Sequence, residues 1–191
     1  MEESIVDGGV IRKLWLGEAG KYREHLLRLD GESRRNRFGG AVADEMIEAH
    51  IATAMRVGNV VYGFLVDDVL RGVAELRPFG DAVRTEAEVA FSIEKPWQSH
   101  GVGSILLEWM LLTARNRGIT HLHMTCLADN ARMQQLARKY AAELSFDLGC
   151  VVGEVAAPRA TPLSLWRELI ADGHAFGTAV LNAQARVLRR N

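Results

Sequence analysis

Residues 85–118 constrain this chain more tightly than any other stretch. Thr85–Ile93 alternates, with Ala87, Val89 and Phe91 against Glu86, Glu88 and Ala90, the period-two pattern of a half-buried strand. A Pro96-Trp97 break and the run His100-Gly101-Val102-Gly103 follow. Val102, Leu106, Met110 and Ala114 then recur at helical spacing. Arg115 and Arg117 suit the negative end of the helix dipole, and Gly118 suits its stop. Thr120–Leu127 reads as the next strand. A strand, a glycine-rich loop, a helix and a strand in that order predict a parallel crossover.

On the N-terminal side, Val10–Trp15 predicts a strand and Ala19–Leu29 a helix with Leu26, Leu27 and Leu29 on its apolar side. Gly31–Gly40, Arg-rich and bounded by glycine, predicts a loop, and Asp44–Ala54 a second helix. Asn59–Val66 and Leu70–Arg77 flank the turn signal Asp67-Asp68 and predict a hairpin. Past Leu127, Asp129-Asn130 can cap a helix with Met133, Leu136, Ala137, Tyr140 and Leu144 on one face. Phe146–Val155 gives one or two short strands. Thr161-Pro162 reads as an N-cap with proline at the first helical position, and Leu163–Arg190 continues as one or two helices interrupted at Asp172-Gly173.

With 191 residues, 48% apolar and 25% charged, the chain has material for one well-packed domain. A net charge of −1 gives no reason to expect a nucleic acid or a membrane surface as partner, and the apolar runs fall far short of the ~20 residues that span a bilayer. The acidic, polar start is the reverse of a signal peptide, and Cys126 and Cys150 match no metal spacing, so a cytoplasmic protein with reduced thiols is expected. His121 and His123 alternate on a strand without a third ligand nearby, and no metal is expected.

The glycine-rich loop turns several backbone N–H groups toward one point at the positive end of a helix, an anion site that pyrophosphate fits. Gly101 and Gly103 remove side chains that would block phosphates or forbid the backbone angles. An isolated Gly-x-Gly reads equally as a tight turn with close strand–helix packing. Here it lies in Gln98-x-x-Gly101-x-Gly103, which resembles the acetyl-coenzyme A signature of the GNAT superfamily of N-acetyltransferases. Ala114-Arg115-x-x-Gly118-Ile119 is similar to that family's helix end and strand start, and Leu127-x-x-Asn130-x-x-Met133-x-x-Leu136-x-x-Lys139 to its second signature helix. The resemblance covers roughly Val10 to Val155 and is closest in feel to the acetyltransferase domain of bacterial protein-lysine acetyltransferases.

The resemblance implies an α/β (α+β) GNAT fold, with a mixed central sheet of about six to seven strands and helices around it. Its parallel central strands splay and hold pantetheine between Thr85–Ile93 and Thr120–Leu127. Residues 1–158 would form the acetyl-CoA-dependent domain and 159–191 a helical extension. Gly101, Val102, Gly103 and Ser104 would cradle pyrophosphate, with Gln98, Ser99 and His100 forming the approach. His100 reads equally as an exposed loop histidine. Phe91 and Ile93 would pair with pantetheine, and Asn130 and Met133 begin the second signature helix.

Amine transfer requires the ammonium to lose a proton and the thiolate to be stabilised or protonated. Glu88, in Ala-Glu-Val-Ala-Phe, resembles the base of family members acting on protein lysine; Glu86 is the reserve, and a merely solvent-facing residue is the plain alternative. Many members place a tyrosine acid seven residues after the signature Asn, where this chain has Ala137. Tyr140 is the substitute candidate, with core packing as its plain reading. The family helix closes with Gly-Phe, whose nearest counterpart is Ser145-Phe146, so about one extra helical turn is expected. The missing tyrosine keeps open a catalytically degenerate acyl-CoA-binding sensor or scaffold. The acceptor is a small-molecule amine or a protein lysine. Arg34, Arg35 and Arg37 near Phe38 could hold an acidic acceptor or form a solvated loop. Trp97 covers or anchors the cofactor loop. Leu165, Trp166, Leu169 and Ile170 make an apolar face that packs on the parent domain or forms a homodimer.

Overall fold

The computed structural model describes residues 4–6, 8–79, 85–140, 143–147, 150–156 and 160–173. Among them, eight strands make one sheet: β1 (Ser4–Val6), β2 (Gly9–Lys13), β3 (Val60–Val66), β4 (Val69–Phe79), β5 (Glu86–Ile93), β6 (His121–Leu127), β7 (Glu143–Asp147) and β8 (Cys150–Ala156). Their order is β1-β2-β3-β4-β5-β6-β8-β7. The count exceeds the six to seven expected because a short β1 folds back on β2 and the last strand segment is a full β7–β8 pair. Among the described strands only β5–β6 is parallel, as the strand–helix–strand order requires. The β3–β4 hairpin turns on Asp67 and Asp68, both left-handed (φ 49° and 62°), the backbone of a two-residue type I′ turn.

The helices are α1 (Ala19–Arg28), α2 (Gly31–Phe38), α3 (Asp44–Ala54), α4 (Val102–Asn116), α5 (Ala131–Lys139) and α6 (162–173). Two of these correct the sequence reading. The Arg-rich segment expected to be a loop is helix α2, started by Asp30, whose carboxylate accepts from Ser33 N–H at 3.0 Å, and stopped by Gly39 at φ 74°. Helix α5 ends at Lys139, so the extra turn is not there. Leu144 and Ser145-Phe146 lie in β7 instead.

Apolar side chains fill both faces of the sheet. One face packs Phe64, Leu76, Val89 and Leu122 beneath Leu106, Met110 and Ala114 of α4. The other packs Val61, Leu70 and Val73 beneath Tyr22 and Leu26 of α1 and Ile47 and Ile51 of α3. Fully burying one such aliphatic side chain contributes roughly 1.5–3 kcal/mol, so these layers fix the sheet on which the site is built. Helix α6 docks through Ser164 and Glu168 on Asn116 and through Asp172 on Lys13. It leaves Leu163, Trp166 and Leu169 exposed. Among the described residues, no helix is long and apolar enough to cross a membrane.

Candidate active site

Strands β5 and β6 run together only at their starts: the parallel register covers Glu86↔His121, Ala87↔Leu122 and Glu88↔His123. Beyond Glu88, β5 stays paired to β4 as far as Gly72↔Ile93, while β6 stays paired to β8 as far as Leu127↔Cys150. The sheet therefore opens on one side of Val89–Ile93. Glu94 N–H donates to Arg71 O on β4 at 2.9 Å, so strand alternation turns the N–H groups of Phe91 and Ile93 the other way, into the opening. A cleft of about 490 Å³ occupies it, lined by Phe91, Ser92 and Ile93 of β5, by the loop before α4, by one side of α5 and by α2.

Ser99 (φ 65°) and Gly101 (φ 85°) bend the loop into the start of α4, whose first turn carries no acidic residue. A side chain at Gly103 would stand 3.5 Å from Ile93 Cδ1 and 3.7 Å from Leu136 Cδ2, both on cleft-lining residues. The N-terminus of α4, with Arg132 and Lys139 also on the wall, gives this end of the cleft donors and positive charge suited to an anion. Lys139 Nζ donates to Ser104 Oγ at 3.1 Å.

Of the residues expected from sequence, Phe91, Ile93, Gln98, Ser99, Gly101, Gly103, Ser104, Asn130 and Met133 line the cleft. Gln98 does so as a brace, its Nε2 donating to Ile93 O (2.8 Å) and to Ser33 Oγ of α2 (3.0 Å). The Asn130 side chain caps α5 by accepting from Met133 N–H at 3.2 Å. Val102 and His100 are not among the lining residues. Val102 is the first residue of α4 and its side chain is buried in the core. Trp97 packs edge-on against Phe64, anchoring the loop to the core. Sequence reading missed Ser33, Asn36, Ser92, Gln135 and Arg132 as wall residues, and placed Arg37 in a loop. Those on α2 carry no apolar period that would have announced a helix.

Glu88 sits at the last paired position before the opening, its carboxylate held by Arg77 across the strand pair. Alternation puts Arg77, Glu75, Glu88 and Ser92 on the sheet face beneath α1–α3. Behind them, buried Glu75 accepts from Tyr22 Oη and Arg37 Nη2 and lies 2.9 Å from His50 Nε2. Burial pushes the Glu75 carboxyl up to about 8, with Arg77 opposing and Glu88 assisting. Burial, then Arg37 and Arg77, drives His50 down to about 4, and burial brings Arg37 down to about 10. Glu86 lies 3.0 Å from His123 Nε2 on the exposed side. Tyr140 is turned from the cleft wall. Its hydroxyl donates to Glu108 Oε1 (2.9 Å) and Ser104 O (3.2 Å), and burial followed by Glu108 raises it to about 12.

A sheet that opens beside a glycine-rich loop is the arrangement the sequence resemblance implies, and residues 23–142 match the family described as Acetyltransferase (GNAT) family, well over half of the 191-residue chain. The chain belongs to the GNAT acetyltransferase family. Acetyltransferase Pat of Mycolicibacterium smegmatis (strain ATCC 700084 / mc(2)155) is 32% identical over 87 residues, which are 45% of this chain and 26% of that protein. This GNAT chain thus aligns with about a quarter of that relative's length. The GNAT domain of S. lividans PAT has the same fold, with a TM-score of 0.69 at 22% identity over 78% of this chain and 90% of that one. The Salmonella typhimurium protein yncA, solved with its cofactor acetyl-CoA, matches with a TM-score of 0.60 at 16% identity over 82% of this chain and 98% of that one.

Proposed function

We propose that this GNAT protein is an N-acetyltransferase that binds acetyl-CoA in the β5–β6 opening and passes the acetyl group directly to a primary amine, on a protein lysine or a small molecule. The observation that carries the reading is the end of parallel pairing at Glu88↔His123, directly followed by a cleft that runs to the glycine-rich start of α4. Inward N–H groups of Phe91 and Ile93 would take the pantetheine amides. The N–H groups at 101–103 and the Ser104 side chain, with Arg132 and Lys139, would take the phosphates, and His100 would stand at the loop's outer edge. Transfer itself belongs to residues 1–158, with 159–191 as an extension.

In this reading Glu88 takes the proton of the attacking ammonium, directly or through water, and Arg77 orients its carboxylate. Because the Tyr140 hydroxyl is engaged on α4, the departing thiolate is protonated by water. Binding is tested by a thermal melt with acetyl-CoA against nicotinamide and adenine nucleotides. Ligand at a hundred times its dissociation constant stabilises by ~2.7 kcal/mol, a rise of several degrees. Glu88→Gln should keep that rise and lower amine-dependent coenzyme release at pH 7 by roughly 100-fold or more. An unchanged rate across pH would remove Glu88 from the chemistry. The missing tyrosine at Ala137 supports a second reading, an acyl-CoA sensor without turnover, which coenzyme release with any amine would eliminate.

The reading extends to a homodimer in which the exposed Leu163, Trp166 and Leu169 of α6 cover the same face of a second copy. Light scattering should then give twice the chain mass, and Trp166→Glu should halve it.

A further inference from the structure

Ser92 is the only described cleft-wall residue of β5 with a side-chain hydroxyl, and behind that hydroxyl stands a buried relay. His25, on α1 and wholly buried, places Nε2 3.0 Å from Ser92 Oγ and Nδ1 3.3 Å from Glu94 Oε1. Glu94 in turn accepts from Arg28 Nε at 3.0 Å and Arg71 Nη1 at 2.9 Å. Burial alone pushes Glu94 up, but the hydrogen bonds from His25, Arg71 and Arg28 together outweigh it and hold the carboxyl down at about 2. Burial likewise lowers His25 and keeps its ring neutral. An ionised Glu94 accepts only, so the ring proton sits on Nδ1 and bare Nε2 faces the Ser92 hydroxyl.

We propose that Ser92, His25 and Glu94 form a nucleophile–base–carboxylate relay that gives this protein a second activity, the hydrolysis of acyl thioesters by way of an acyl-serine. The relay has the connectivity of serine hydrolase triads, nucleophile to base to orienting carboxylate. Ser92 Oγ attacks the thioester carbonyl and its proton passes to His25 Nε2. The carbon–sulfur bond breaks, the electron pair leaves on the coenzyme sulfur, and the proton on His25 Nε2 passes to that sulfur, which frees the ring to act as a base again. Water then attacks the seryl ester with His25 as base, the proton returns to Ser92 Oγ, and the products are a carboxylic acid and free coenzyme. No oxidant, metal or amine is required.

The proposal rests on the acyl-CoA reading of the cleft, so its test carries one arm that does not. With acetyl-CoA and no amine, coenzyme release should be measurable and should fall roughly 100-fold or more in Ser92→Ala and His25→Gln. Rapid quench and intact mass should find an acetyl group on Ser92, and Ser92→Cys, which keeps a nucleophile, should retain an adduct. In the second arm a fluorophosphonate, which reacts with activated serines, should label Ser92 in the unmodified protein and fail to label Ser92→Ala. Labelling without acetyl-CoA binding would uphold the relay and defeat the cofactor reading. Acetyl-CoA binding with neither amine-independent release nor fluorophosphonate labelling would overturn the relay and leave the cofactor reading standing. Melts of each variant separate loss of the relay from loss of the fold.

Discussion

Gly101 and Gly103 stand two residues apart and answer to different physics. Gly101 sits at φ 85°, and a Cβ there would meet nothing within 4 Å, so its constraint is the backbone. Gly101→Ala should cost about 1 kcal/mol, the strain of a side chain in left-handed geometry, and lower the melting midpoint by roughly 2–4 °C. Gly103 has ordinary helical geometry, and a Cβ there would only reach ordinary contact with Ile93 and Leu136, so its constraint is the cleft that it borders. Gly103→Val should leave the midpoint within about 2 °C yet raise the acetyl-CoA dissociation constant at least tenfold, since a branched side chain would enter the cleft. Calorimetric titration of the two variants beside their melts separates the effects. Equal loss of affinity with equal loss of stability would show that the loop acts through its fold alone.

Helix α2 shows where sequence reading stops. It buries no residue fully, so it offers no apolar stripe, and its arginines look like solvated loop. What holds it is polar and mostly distant in sequence: Arg34 to Leu27 O and Asp44, Arg37 to Glu75, and Gln98 to Ser33. Its local signals are only its two ends, the Gly39 stop and Asp30, an N-cap three residues before Ser33, and Asp30→Ala should cost about 1 kcal/mol. The Ser33 N–H, acting first, holds the Asp30 carboxyl below its usual range. That stabilisation is present above the unfolded value near 3.8 and is lost as pH falls through the folded one. Melts of Asp30→Ala against the parent should therefore converge as pH falls below that range. By contrast β5, α4 and β6 were legible because alternation, a four-residue apolar stripe and Gly118 (φ 71°) all report locally. The glycine-rich loop before α4 was legible for the same reason. The relay behind Ser92 was not, since His25 lies 67 residues from Ser92 in sequence.

Across the whole molecule, the α1–α3 face of the sheet holds titratable groups whose shifts set its response to pH. His50, down at about 4, and His25, also lowered, are neutral in the fold and protonate more readily once unfolded. Their contribution is full above the unfolded value near 6.5 and is lost as pH falls toward their folded values. Glu94, down at about 2, adds a loss that begins below 4.5 and continues to about 2. Glu75 runs oppositely: raised to about 8, it favours the fold below 4.5 and loses that advantage as pH climbs to about 8. His50 and Glu75 are in contact, so between pH 4.5 and 6.5 they oppose one another, each changing stability by at most about 1.4 kcal/mol per pH unit. Urea titrations from pH 4.5 to 8 should therefore show the parent's stability rising to about pH 6.5, less steeply than the two histidines alone would give, and then declining toward pH 8. In Glu75→Gln the His slope stands uncompensated, so stability should rise more steeply from pH 4.5 to 6.5, and the decline toward pH 8 should vanish. A Glu75→Gln profile parallel to the parent's at every pH would mean that Glu75 keeps its charge throughout, fixed by Arg37, and contributes no titration to the fold.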